Sequence, residues 1–251
     1  MELCSRFSFN PDEFKRFEEL TMDFEVNVNC FDSNRRSPII LLTRHCKSER
    51  LVEYIETLLR RHCTDLTWQD CDGWDALISA CYFYHNQHLV RVVRLLLSHG
   101  IDGKAVTRRG SNALFALCTV HTGEVPNVTD VVRALLDGGV EINGEKSALL
   151  AWCRHNVRVQ HFLPVVSLMI ERGIDLSCKD ENNRNALLLI CSQHPNGLGL
   201  LKVVRLLVDK KIDIPCRDND GLNVLEILSK RTVKIDDPII QLLKIAMINI
   251  V

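Results

Sequence analysis

Apolar residues in this chain come in short runs, each introduced by a small polar residue and followed, after a polar break, by a second apolar run. The pattern is plainest from Ala186 onward: Ala-Leu-Leu-Leu-Ile-Cys, a polar break, then Leu-Lys-Val-Val-Arg-Leu-Leu-Val-Asp from Leu201, then a polar segment closing in Asp218-Asn219-Asp220-Gly221. Spacing and punctuation predict a short helix, a connection, a second helix and an extended segment ending in a turn. The same helix start returns at Asp75-Ala76-Leu77, Asn112-Ala113-Leu114, Ser147-Ala148-Leu149, Asn185-Ala186-Leu187 and Asn223-Val224-Leu225, with Ser37-Pro38-Ile39 as the first of the series. From Pro38 through Ala76, Ala113, Ala148, Ala186 and Val224 the steps are 38, 37, 35, 38 and 38 residues. A Ser, Asp or Asn stands ahead of every run, as capping the unpaired N–H groups of a helix requires.

The second helix repeats as well, with cores at Leu51–Ile55, Leu89–Leu97, Val131–Leu136, Val165–Ile170 and Val203–Val208. A lone helix pair cannot bury such faces, so neighbouring pairs must stack to cover them. Pro164 suits a first helical turn, and Gly100, Gly139 and Gly173 stand where a helix end takes a left-handed residue. Ahead of the series, Asn10-Pro11-Asp12-Glu13 begins a helix whose stripe is Phe14, Phe17 and Leu20. After it, Pro238 to Met247 suits a closing helix, leaving Ile245, Ile248, Ile250 and Val251 as surplus apolar surface.

These elements resemble ankyrin repeats. The family has Thr-Pro-Leu-His at the inner helix start, Leu-Leu-x-x-Gly-Ala-Asp at the outer helix end and Asp-x-x-Gly between repeats. Here Ser37-Pro38-Ile39, Leu96-Leu97-Ser98-His99-Gly100-Ile101-Asp102, Met169-Ile170-Glu171-Arg172-Gly173-Ile174-Asp175 and Asp218-Asn219-Asp220-Gly221 are similar. The resemblance implies an all-α fold, an ankyrin-type helical repeat solenoid with short β-turn fingers. It further implies one array over 1–251: a cap helix at 11–31, five full repeats starting near 32, 70, 107, 144 and 180, and a capping repeat at 218–251. Two departures stand out. The fourth position of the family's Thr-Pro-Leu-His is Ile40, Ile78, Phe115, Leu150, Leu188 and Glu226, never His. The period also exceeds the usual ~33 residues, with the excess between the helices, which implies a longer inner helix or a longer connection. The segment from Asn143 to Ser147 is shorter than its counterparts, so its finger should be clipped.

Charge narrows the function. Lys+Arg of 31 against Asp+Glu of 32 leaves a net charge of -1, which argues against bulk attraction to nucleic acid or anionic lipid. No run of apolar residues is long enough to span a bilayer, and no signal-peptide core is present, so no membrane partner is expected. An odd count of 11 cysteines without a leader fits a reducing compartment, cytoplasmic with a nuclear site as the other option. Cys81, Cys118, Cys153 and Cys191 recur in one register and read as small buried residues rather than metal ligands or nucleophiles. No phosphate-binding, dinucleotide-binding or hydrolase motif is present. No enzymatic activity, cofactor, metal or small-molecule substrate is therefore expected.

What remains is protein recognition, with the array expected to be monomeric. The resemblance implies that partners lie against the finger tips and inner helix ends. Those positions carry Arg36, Trp74, Tyr82, Phe83, Arg108, Arg109, Arg154 and Arg184, side chains of the kinds that most often anchor interfaces. They suit an acidic or acidic-aromatic segment of another protein, although Tyr82 and Phe83 also fit the core of a longer inner helix. The alternative role is a substrate-recruiting subunit of a larger complex, such as a ubiquitin ligase, docked through the C-terminal helix.

Overall fold

The structure, a computed structural model, describes residues 29–60, 64–120, 125, 127–156, 160–193, 198–230 and 237–248, together with Glu19. The expected N-terminal cap helix lies outside them, as do Ile250 and Val251. Among the described residues there are twelve helices and no strand. The chain divides into two compact units, 1–146 and 147–251.

The first unit contains α1 (Pro38–His45), α2 (Leu51–Leu59), α3 (Ala76–Phe83), α4 (Leu89–Ser98), α5 (Ala113–Cys118) and α6 (Val128–Asp137). Helices α1, α3 and α5 pack side by side as an inner layer, α2, α4 and α6 as an outer one, and each inner helix also packs on the outer helix that follows it. The second unit repeats this with α7 (Ala148–His155), α9 (Ala186–Gln193) and α11 (Val224–Ser229) inside, and α8 (Phe162–Glu171), α10 (Leu198–Asp209) and α12 (Pro238–Ile248) outside.

The two layers differ because their neighbours differ. An inner helix is covered on several sides, so Ala76 through Cys81 of α3 are all buried. The outer helix α4 buries Leu89, Val92, Val93 and Leu96, the single stripe of a surface helix, and turns Arg91 and Arg94 to water. Cys81, Cys118, Cys153 and Cys191 are fully buried, as their shared register predicted. Burial pushes the Cys81 and Cys153 thiols far above the ordinary value, so neither supplies a thiolate. Trp152 fills space in the core, its indole Nε1 donating to the Phe162 carbonyl at 3.4 Å.

All six inner helices begin at the expected residues. Asp75, Asn112, Ser147, Asn185 and Asn223 cap them by accepting from backbone N–H groups two or three residues on. Ser37 departs from the pattern: it makes no side-chain cap, and its buried hydroxyl has no hydrogen-bond partner among the described residues. Gly100, Gly139 and Gly173 have φ of 84°, 87° and 82°, and the residue after each donates to a carbonyl five positions earlier. This closes the Schellman turn. In the corresponding turn after α10 the left-handed residue is Lys211, at φ 61°.

Inner helices have six to eight residues, so the extra length of the repeat resides in the connections rather than in longer helices. The fingers are tight turns opening at Asp32, Asp70, Thr107, Asp180 and Asp218. In each, the opening residue's N–H donates to a carbonyl four residues on, and its own carbonyl accepts from the residue three on. The four aspartates also accept from the second and fourth N–H groups, which locks the turn. Among the described residues the segment 143–147 forms no such turn, in line with its shortness.

Candidate functional site

In the first unit, α3 ends in Tyr82 and Phe83 because its last turn passes the edge of the layer that buries everything before it. The finger opened by Asp70 brings Trp74 back to the same place. The three rings form one cluster: Trp74 meets Tyr82 edge-on at 5.2 Å, Tyr82 meets Phe83 edge-on at 4.8 Å, and Trp74 lies 5.7 Å from Phe83. Such contacts hold aromatic side chains in one arrangement. Tyr82 remains 36% exposed and Phe83 is only partly covered, so neither belongs to the core.

Arg44, at the end of α1, underpins this cluster. Its guanidinium carbon lies 4.7 Å from the Phe83 ring centre and 5.5 Å from that of Trp74, a cation–π arrangement. Its Nη1 pairs with the buried carboxylate of Asp70 at 2.9 Å. The other Asp70 oxygen accepts from the N–H groups of Asp72 and Trp74, so the ion pair and the finger turn support one another. Lys47 closes the far side by donating to the Phe83 carbonyl.

The cluster forms one wall of a hollow of roughly 620 Å3. The facing wall carries Arg108 and Arg109 from the next finger, and Lys146 from the shortened segment. Lys146 lies over Phe115 at 5.3 Å and reaches the Ser111 hydroxyl at 3.3 Å. Arg108 and Arg109 are exposed and have no carboxylate partner among the described residues.

The inner-helix end beside those arginines differs from its sister repeats. Arg44 and Arg154 occupy the same inner-helix register, and each pairs with the aspartate opening the next finger, Asp70 or Asp180. In the repeat between the Asp70 and Thr107 fingers these places hold Tyr82 and Thr107. Replacing the pair removes a cation from the inner-helix end and a carboxylate from the finger. The result is an aromatic floor beside free positive charge.

The other sequence-predicted arginines are placed differently. Arg36 of the first finger pairs with Asp32 at 2.6 Å. Burial, followed by the charges of Arg36, Arg44 and Lys47, holds His45 below its usual value, which marks this edge as electropositive. Arg154 and Arg184 belong to the second unit, where both bind Asp180, at 2.8 and 2.9 Å, and Arg154 also reaches Glu181. The structure therefore brings Trp74, Tyr82, Phe83, Arg108 and Arg109 into one hollow of the first unit. Arg36 is engaged in an ion pair and does not line this hollow, and Arg154 and Arg184 are engaged in ion pairs of the second unit. Arg44, Lys146 and Phe115 were not expected; Arg44 could have been found from its shared register with Tyr82 and Arg154.

Residues 42–146 match the family model for ankyrin repeats, in three copies. This stretch of the chain is made of ankyrin repeats. The ankyrin fold extends beyond it. The ankyrin repeat domain of Bcl-3, described as a unique member of the IkappaB protein family, superposes with a TM-score of 0.61 at 19% identity, over 94% of this chain and 93% of that one. The human ASB11 ankyrin repeat domain superposes with a TM-score of 0.65 at 17% identity, over 95% and 98%. No curated protein sequence matches the chain. At these identities the structural likeness establishes the fold. Ankyrin repeats are generally protein–protein interaction modules, and among the described residues no helix is long and apolar enough to cross a membrane.

Proposed function

We propose that this chain is a non-catalytic adaptor, one ankyrin array over its length, that binds an acidic or acidic-aromatic segment of a partner protein in the hollow of its first unit. One observation carries the reading: a Trp74–Tyr82–Phe83 cluster lies beside Arg108 and Arg109, whose charges no carboxylate among the described residues satisfies. Aromatic side chains faced by cations that lack a carboxylate are what a buried apolar side chain flanked by carboxylates needs from its receptor. The reading places the protein in the cytoplasm or nucleus, as a monomer. Affinity purification on wild type and on the double variant Trp74→Ala, Arg108→Glu tests it. The partner recovered with wild type is expected to be lost with the variant, and equal recovery overturns the assignment of the hollow.

A second reading, recruitment into a larger complex such as a ubiquitin ligase, is favoured by α12. This helix buries Ile239, Ile240 and Leu243 but leaves Ile245 and Ile248 59% and 74% exposed, beside an apolar recess lined by Ile212 and Ile214. Removing residues 236–251 is expected to abolish such docking with the first unit still folded; retained docking would exclude it.

A further inference from the structure

Arg108 borders a second depression. On the other side of the same fingers lies a notch of roughly 340 Å3, bordered by Arg35, Trp68, Gly73, Val106, Thr107 and Arg108. Thr107 and Arg108 line both depressions, so hollow and notch meet at the third finger. The notch is as organised as the hollow. Phe31 stacks on Trp68 with ring centres 4.0 Å apart, Arg35 lies over the same indole at 5.0 Å, and the indole Nε1 donates to the Arg35 carbonyl at 3.0 Å. Phe31 and Val106 are 37% and 46% exposed, although both are large and apolar.

Its electrostatics repeat those of the hollow. Arg35 and Arg108 have no carboxylate partner among the described residues. The acid that borders the notch, Asp70, is committed to Arg44 and to two N–H groups of its own turn. The three fingers are also fixed to one another. Cys71 N–H donates to the Asn34 carbonyl at 3.0 Å and Arg108 N–H to the Asp72 carbonyl at 2.9 Å. Any side chain at Gly73 would put its Cβ 2.8 Å from the Arg108 nitrogen. A platform held this closely presents both depressions without reorganisation, which lowers the entropy lost on binding.

Resting on the reading of the hollow given above, we propose that the notch is the second station of the same track. An extended acidic segment of a partner protein crosses the crest at Arg108. It places one apolar or aromatic side chain beside Trp74 and another beside Trp68 and Val106, with carboxylates between them on Arg108 and Arg35. Single-stranded nucleic acid fits less well. Base stacking needs an open ring face, whereas Trp68 is already covered by Phe31 and Arg35, and Trp74 by Arg44.

The experiment is selection of a random phage-displayed peptide library on the intact chain, followed by fluorescence anisotropy of a labelled selected peptide. Variants are Val106→Glu and Arg35→Glu in the notch, and Trp74→Ala with Arg108→Glu in the hollow, each checked by thermal melting. The selected peptides are expected to be acidic, with two apolar anchors. Each notch variant should bind the peptide ~10-fold more weakly, and removing either anchor should do the same. Peptides that lose affinity for the hollow variant but keep it for both folded notch variants overturn this inference and leave the hollow intact. No acidic consensus, or tighter binding of a random single-stranded RNA pool than of the peptides, overturns both.

Discussion

Asp75 caps α3, the helix that delivers Tyr82 and Phe83, and a single isosteric change there has a calculable consequence. Its side chain accepts from Ile78 N–H at 2.7 Å and is almost wholly buried. Burial is the largest influence on its carboxyl and, opposed by the cap hydrogen bonds and reinforced by Asp102 and Asp70, pushes it up to about 7 from an ordinary 3.8. The folded state therefore holds this proton more tightly than the unfolded chain does. The associated stability is fully present below about pH 4 and is lost as pH rises to about 7 and beyond. At about 1.4 kcal/mol per unit, the whole interval amounts to roughly 4 kcal/mol. Asparagine in the same register keeps the cap and adds a donor: Asn112 and Asn185 accept as Asp75 does, while their Nδ2 groups donate to the Glu141 and Asp213 carbonyls, each at 2.7 Å. Asp75→Asn should therefore match wild type near pH 4 and exceed it by up to about 4 kcal/mol near pH 8. Urea unfolding followed by far-UV circular dichroism across this range measures the difference, and subtraction of the two profiles removes the contribution of every other titrating group. A difference that does not change with pH, or a variant less stable than wild type near pH 8, would refute the burial argument.

Other changes test other parts of the structure. Lys211→Gly relieves a left-handed residue that glycine holds in three sister turns, and chemical unfolding should find the variant about 1 kcal/mol more stable. Ser79 is fully buried with its hydroxyl unpartnered among the described residues, where Ala116 and Ala151 stand in the same register; Ser79→Ala should stabilise by up to ~1 kcal/mol, and any loss would mean the hydroxyl has a partner. Arg44→Ala strips the guanidinium from buried Asp70 and should destabilise by about 3 kcal/mol, with Asp70→Asn in the same chain recovering part of the loss. If the two losses simply add, the ion pair is not the source of the effect.

Much of the architecture was legible in the sequence because its causes are local. A helix start needs a cap and an apolar run within a few residues, so all six inner helices could be placed to the residue. Left-handed helix ends announce themselves as glycine, and the clipped finger as a shorter step between repeats. Trp74, Tyr82 and Phe83 could be nominated because register puts them at finger and helix ends. Phe31 and Trp68 gave no comparable signal, since aromatic residues in an irregular segment look the same whether they pack inward or outward.

The sequence by itself therefore determined the helix pairs, their period and which faces must be covered, since apolar periodicity and capping act over a few residues at a time. Tertiary structure decided which cations are free. Arg36, Arg154 and Arg184 read in the sequence like Arg108 and Arg109, yet the first three meet the carboxylates of Asp32 and Asp180, and the last two, beside Thr107 in place of an aspartate, meet none among the described residues. Asp32 and Asp180 stand four residues before Arg36 and Arg184 in the same finger, whereas Arg154 reaches Asp180 only because repeats stack, and stacking brings no carboxylate within about 4 Å of Arg108 or Arg109 among the described residues.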